Sequence, residues 1–125
     1  MRRRLVLAAM AAVMVVAATT AGEAQSLSPL IVNWQQYFEL DWRVLERGGR
    51  TLLTGHVLSI WKDGARWMQL LVNRMDARGA LIDQRLVWLP AEVPRGSRVY
   101  FEVRVEPAAA YQVAVYAFES PSRPP

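Results

Sequence analysis

The residues that could perform chemistry are few in this chain of 125 residues. His56 is the only histidine and cysteine is absent, which excludes Cys–His nucleophiles and zinc sites built from cysteine and histidine. A Ser-His-Asp triad would need His56 as its base, but no serine lies in the glycine-flanked turn that exposes such a nucleophile. His56 falls between Gly55 and Val57, on the strand face opposite the predicted core. We therefore interpret it as a surface histidine.

Carboxylates are the next candidates. Glu39 and Asp41 stand two residues apart, so they share one face of a strand, where a carboxylate pair can act as acid and base. Alternating charges on the solvated face of a half-buried strand give the same pattern, and we favour that interpretation. Asp63-Gly64 and residues 76–79 lack the dense oxygen ligands of a calcium loop, and no glycine-rich loop leads into a helix. We predict no catalytic residue, no metal and no cofactor.

The first 24 residues resemble a secretory signal peptide. Three arginines at positions 2–4 precede the apolar run 5–18, and the small residues Gly22 and Ala24 come before the expected cut after Ala24. This pattern predicts a signal-peptide helix and export to the periplasm or the cell exterior of a bacterium. The alternative is an uncleaved anchor over residues 5–21, although a spanning helix needs about 20 apolar residues and this run is shorter.

Removal of residues 1–24 leaves a chain long enough for one domain and not two. Three of the 15 basic residues and one of the 11 acidic residues lie in the signal, so the mature part has 12 against 10, a net charge of +2. Because these charges alternate in sign, we expect no nucleic-acid binding. We expect membrane contact only if the signal stays uncleaved. Without disulfides, stability must come from apolar burial.

A side-chain period of two organises the chain from Phe38 to Phe118. It predicts six strands, at residues 38–44, 51–60, 67–75, 81–89, 99–105 and 111–117. Gly48-Gly49 predicts a hairpin, as do residues 76–79, because these glycines tolerate positive φ. Residues 90–97, with two prolines and a glycine, predict a crossing between sheets.

These patterns predict an all-β fold, an antiparallel sandwich of six to seven strands in two facing sheets. We expect the domain to span residues 38–119, after a lead segment or edge strand at residues 25–37 and before a disordered tail at residues 120–125. The predicted core is Phe38, Leu40, Trp42, Val44, Leu53, Val57, Met68, Leu70, Val72, Leu86, Phe101, Val103, Tyr111, Val113 and Val115.

The same stretch resembles the FxLYD-type Ig-like or fibronectin III-like domains of bacterial envelope proteins. The matching positions are Thr54, Gly55, Val57, Asp76, Gly79, Gly96, Phe101, Val103, Tyr111, Val113 and Val115. The chain departs from this pattern at Arg74, where the family usually has an apolar residue. The resemblance implies an Ig-like β-sandwich and an exported location, and it implies no catalytic residues.

The predicted core does not include several of the tryptophans. The third strand is apolar on both faces, with Trp67, Leu71 and Met75 on the side away from the core. Either this face is an exposed apolar patch, which marks an interaction site, or residues 30–37 or residues 90–97 fold over it. The candidate surface for a protein partner or a homodimer is Trp61, Trp67, Leu71, Met75 and Trp88.

We therefore expect a noncatalytic, exported interaction module of the bacterial cell envelope that binds a protein partner. The alternative is a domain that binds a glycan or a small apolar ligand with its exposed tryptophans.

Overall fold

The computed structural model describes residues 26–121, and the predicted signal segment 1–24 and residues 122–125 of the predicted tail lie outside that range. The described chain is all-β, as expected, apart from a short 3-10 turn at Trp34–Gln36. No helix within residues 26–121 is long and apolar enough to cross a membrane. The strands are β1 (Phe38–Arg47), β2 (Arg50–Ser59), β3 (Arg66–Met75), β4 (Leu81–Trp88), β5 (Arg98–Val105) and β6 (Ala110–Glu119).

All six strands pair antiparallel, in two sheets of three. Sheet 1 has the order β1-β2-β5 and sheet 2 the order β4-β3-β6. Gly48 and Gly49 close the β1–β2 hairpin with φ of 58° and 75°, the two left-handed residues of a type I′ turn. In the β3–β4 hairpin, the Asp76 carboxylate accepts hydrogen bonds from the backbone N–H groups of Arg78 and Ala80. The predicted hairpins and the crossing at residues 90–97 are confirmed.

One hydrophobic core lies between the sheets. Every strand except β4 contributes fully buried side chains, because alternate residues of each strand turn inward. The buried members are Phe38, Leu53, Val57, Ala65, Met68, Leu70, Val72, Leu89, Val93, Phe101, Val103, Val105, Val113 and Val115. Most of the predicted core is therefore confirmed. Leu40 and Tyr111 pack half-buried against it, and Leu86 is half-buried on the outer face of sheet 2, opposite Leu71.

Two predicted core residues, Trp42 and Val44, are not buried. They alternate in phase with Phe38, and Val44 stands opposite the fully buried Leu53. Nevertheless, 37% of Trp42 and 44% of Val44 is exposed. The prediction of burial was wrong here because β1 is an edge strand. Its side chains still point inward, but no layer of the described chain covers them at this position.

A close backbone approach joins β1 to β2 at Gly55, which pairs with Trp42. A Cβ atom at Gly55 would lie 2.8 Å from both the Asp41 carbonyl carbon and the Trp42 Cα, and closer still to the Asp41 carbonyl oxygen. Real Cβ atoms essentially never come within 3.0 Å of such atoms. The position therefore requires glycine for space, since its φ is not positive.

Candidate interaction surface

The two most exposed tryptophans lie at the same end of sheet 2. Trp88, at the end of β4, stands opposite Gln69 on the outer face and is 59% exposed. Trp67 is 62% exposed and lies where β3 carries an extra residue relative to β6. Its φ of 53° is unusual for a bulky residue. Such strain persists only where the surrounding structure enforces it.

The chain next to Trp67 is held firmly. The backbone N–H of Leu89 donates to the Met68 carbonyl at 2.9 Å, and Ala65 and Val93 exchange two backbone hydrogen bonds of 2.8 Å. A shallow groove of about 170 Å³ lies between Trp67 and residues 89–92. The two indoles therefore sit on a fixed backbone.

Two other members of the predicted surface are only half exposed. Trp61 lies in the β2–β3 connection, and its ring meets that of Tyr37 edge-on, with centroids 4.8 Å apart. Within residues 26–121, the buried Trp61 Nε1 has no acceptor. Met75 is half-buried at the opposite end of β3 from Trp67. The structure therefore does not bring the five predicted residues together into one patch.

Leu71 is buried, with only 2% of the residue exposed, so it offers nothing to a partner. The lead segment crosses the outer face of sheet 2 at this level. The Leu27 N–H donates to Gln84 Oε1 at 2.7 Å, and Gln84 Nε2 donates to the Leu27 carbonyl at 2.9 Å. The Leu30 N–H donates to the Tyr116 carbonyl of β6 at 2.9 Å. Residues 27–30 thus span from β4 to β6 over β3. The face is covered, as one alternative expected, but the covering segment precedes the expected residues 30–37.

The outer face of sheet 1 carries a polar cluster. Asp41, His56 and Tyr100 stand in register on β1, β2 and β5, and His56 points away from the core as predicted. Asp41 Oδ1 lies 3.1 Å from the His56 backbone nitrogen and 3.3 Å from Nδ1. Asp41 Oδ2 lies 3.5 Å from Nη1 of Arg98. These residues line an open concavity of about 400 Å³.

The chemistry available to this cluster is polar recognition. No hydrogen bond joins His56 to a serine or threonine in residues 26–121, so the described chain holds no assembled nucleophile of the triad type. No group of three or more potential metal-ligating side chains occurs there either. The Tyr100 hydroxyl donates to Glu102 at 2.9 Å, which raises the pKa of Tyr100 and keeps the phenol protonated. The cluster can offer charges and hydrogen bonds to a ligand.

The sequence analysis missed an ion pair that joins β3 to β4. Its arginine also donates a hydrogen bond to the β5–β6 connection. Arg74 donates two hydrogen bonds to the Asp83 carboxylate, of 2.8 and 2.6 Å, and a third, of 2.9 Å, to the Pro107 carbonyl. The bond to Arg74 lowers the pKa of Asp83, and the same bond raises the pKa of Arg74. The two residues face each other across the hairpin, so its register could have revealed the pair.

A corner hydrogen bond closes the same end of the molecule. The Tyr111 hydroxyl, at the start of β6, donates to the Glu106 carbonyl at 2.6 Å. Burial raises the pKa of Tyr111, so the hydroxyl keeps the proton that it donates. This bond fixes the turn by which the chain passes from β5 back to sheet 2.

Comparison of the chain with protein-family models, with characterised proteins and with solved structures finds no match. The surfaces described above therefore carry the functional argument.

Proposed function

We propose that this chain is an exported, noncatalytic, Ig-like module of the bacterial cell envelope that binds another protein, in keeping with its resemblance to FxLYD-type domains. In an Ig-type sandwich the first strand pairs with the second, the second with the fifth, and the third with the sixth. β1-β2-β5 and β3-β6 have the same pairing. The bond from Tyr111 to Glu106 corresponds to the tyrosine corner of such folds. β4 differs, since it pairs with β3 and not with β5.

The observation that carries the binding proposal is the exposure of Trp67 and Trp88 together at one end of sheet 2. Tryptophan is the residue most enriched at binding hot spots, where its truncation costs about 2 kcal/mol or more. An indole on a fixed strand loses little conformational entropy when it binds. Two such rings beside a shallow groove favour a protein partner, because pockets for small molecules are usually larger, at about 300 Å³ or more.

The test is crosslinking of the exported protein in intact envelope, followed by identification of the crosslinked partner. The double variant Trp67→Ala/Trp88→Ala should lose that partner, because both rings leave the surface. Tyr100→Ala is the matched control, since it removes an aromatic ring that is 52% exposed on the other sheet. A partner captured equally by all three proteins would refute the proposed surface.

The second candidate function is binding of a glycan or a small apolar ligand. The concavity of about 400 Å³ on sheet 1, with Asp41, Arg98 and Tyr100 on its walls, has the size of a ligand site. Arg98 would donate hydrogen bonds to a sugar and the Asp41 carboxylate would accept them from its hydroxyl groups, whereas an apolar ligand would use the tryptophans of sheet 2. Titration of the intrinsic tryptophan fluorescence with peptidoglycan fragments tests the glycan. An unchanged spectrum at millimolar fragment would count against it.

Export is proposed from the sequence of the N-terminal segment. N-terminal sequencing of protein recovered from the envelope should begin at Gln25. A mature chain that begins at Met1 would instead indicate an anchor over residues 5–21.

A further inference from the structure

The free side of β6 is an open sheet edge over much of its length. β6 pairs with β3 on one side only. Within residues 26–121, the one backbone hydrogen bond that reaches its other side comes from Leu30, to the Tyr116 carbonyl. In a strand, half of the backbone groups point to each side. The stretch from Ala110 to Val115 therefore presents unpaired N–H and C=O groups along this edge.

This edge also lacks two common protections against pairing with another strand. Many natural sheet edges are guarded by charged side chains or proline. Residues 110–118 contain neither. The other edge strands of the described fold are guarded: β1 carries charges at every second residue over 39–43, β4 carries Asp83 and Arg85, and β5 carries Arg98, Glu102 and Arg104.

The exposed apolar residues of β1 lie at the same place. β1 runs antiparallel to β6 across the core. At one end, Phe38 meets Phe118 with ring centroids 4.8 Å apart. At the other end, Glu46 pairs with Thr51 and Thr51 with Val105, next to the Glu106 carbonyl to which Tyr111 donates. Trp42 and Val44, midway along β1, therefore lie level with residues 112–115 of β6. We use the name cleft for the unpaired edge at residues 110–115 and the exposed, inward-pointing side chains of Trp42 and Val44 at the same level. A seventh strand beside the sixth occupies this position in a complete Ig sandwich.

We infer that a second copy of this chain closes the cleft. The two β6 strands pair antiparallel over residues 110–115 about a twofold axis, so sheet 2 of one copy continues into sheet 2 of the other. Trp42 and Val44 lie near the axis, where they pack against the same residues of the second copy. A closed twofold dimer is the commonest oligomer, and its interface must be self-complementary. An uncharged strand meets this condition, because pairing with itself brings no like charges together.

The contact is too small for a permanent dimer. A stable interface buries about 800 Å² on each partner, whereas a six-residue strand edge and the exposed parts of Trp42 and Val44 offer less. We therefore expect reversible dimerisation, with a dissociation constant in the micromolar range or weaker. The inference is independent of the proposed tryptophan surface, which lies on the outer side and at the end of sheet 2.

Sedimentation velocity on protein purified from the periplasm tests the inference, at concentrations from about 1 µM to about 1 mM. The sedimentation coefficient should rise from that of a monomer to that of a dimer. Val44→Lys should weaken dimerisation at least about tenfold, because it places two ammonium groups at the axis. Tyr100→Lys introduces the same charge on the outer face of sheet 1 and should leave it unchanged. Circular dichroism verifies that both variants fold.

Hydrogen exchange supplies a second measurement on the unaltered protein. Amides of residues 110–115 that point to the free edge should exchange more slowly at high protein concentration than at low concentration. A monomer at every concentration would refute the inference and leave the cleft to a strand of a different protein. A dimer that survives Val44→Lys but dissociates in Trp67→Ala/Trp88→Ala would refute it too, and would show that the tryptophan surface is the dimer interface.

Discussion

Replacement of Gly55 by alanine should destabilise the fold for lack of space, since Gly55 is the one glycine within residues 26–121 whose φ is not positive. The new Cβ would overlap the backbone of Asp41 and Trp42, and neither group can rotate away as a side chain could. β1 would have to retreat from β2 locally. Two ladder positions, Asp41↔His56 and Trp42↔Gly55, would open. With about 1 kcal/mol for each lost hydrogen bond and a similar cost for the disturbed packing, we expect a loss of about 2–4 kcal/mol.

Equilibrium unfolding in urea, followed by tryptophan fluorescence, measures this loss directly. Gly48→Ala and Gly48→Asn are the matched controls. A Cβ at Gly48 meets nothing within 4 Å, but the residue has φ of 58°. Alanine there should cost about 1 kcal/mol through backbone conformation alone, and asparagine less, because it tolerates the left-handed region. A Gly55→Ala protein as stable as the Gly48→Asn protein would show that β1 yields freely, and the steric argument would fail.

Three further predictions concern the contacts that close the fold. Tyr111→Phe should lower the free energy of unfolding by about 1 kcal/mol, since it leaves the Glu106 carbonyl without its partner; an unchanged urea midpoint would contradict this. Asp83→Asn should lower the melting temperature at neutral pH. Because Arg74 lowers the pKa of Asp83, the native carboxylate contributes stability above the ordinary pKa of aspartate. That contribution disappears as the pH falls through the lowered value, so the melting temperatures of the two proteins should converge below about pH 4. Gln84→Ala should release Leu27, and faster amide exchange at Leu27 and Leu30 than in the unaltered protein would reveal it.

Strand content and turns were predictable from the sequence because they depend on local patterns. Alternation placed all six strands, and Gly48-Gly49 predicted its hairpin through backbone conformation alone. Trp42 and Val44 were misassigned because alternation shows which way a side chain points, whereas burial depends on which strand lies at an edge. That order depends on pairing between residues far apart in the chain.

The candidate surface was predictable only in part, for a related reason. Trp67 and Trp88 could be expected on the outer face from their residue type and their position in the strands. Cover of the face that carries Leu71 was one of two alternatives, and the covering segment could not be identified because residues 27–30 show no alternation and are held by contacts with residues far along the chain. The pair of Arg74 and Asp83 follows from hairpin register, but its third bond, to Pro107, depends on how the two sheets come together.

On the proposed export, the strap that residues 27–30 form across sheet 2 has a consequence for the order of cleavage and folding. The expected cut after Ala24 lies three residues before Leu27, and three extended residues reach only about 10 Å. Once residues 27–30 are bound to sheet 2, the folded domain blocks a membrane-bound peptidase from that bond. We therefore expect cleavage to come first and residues 27–30 to bind sheet 2 afterwards. In an uncleaved precursor, the amides of Leu27 and Leu30 should then exchange as fast as those of an unfolded peptide, which mass spectrometry can measure.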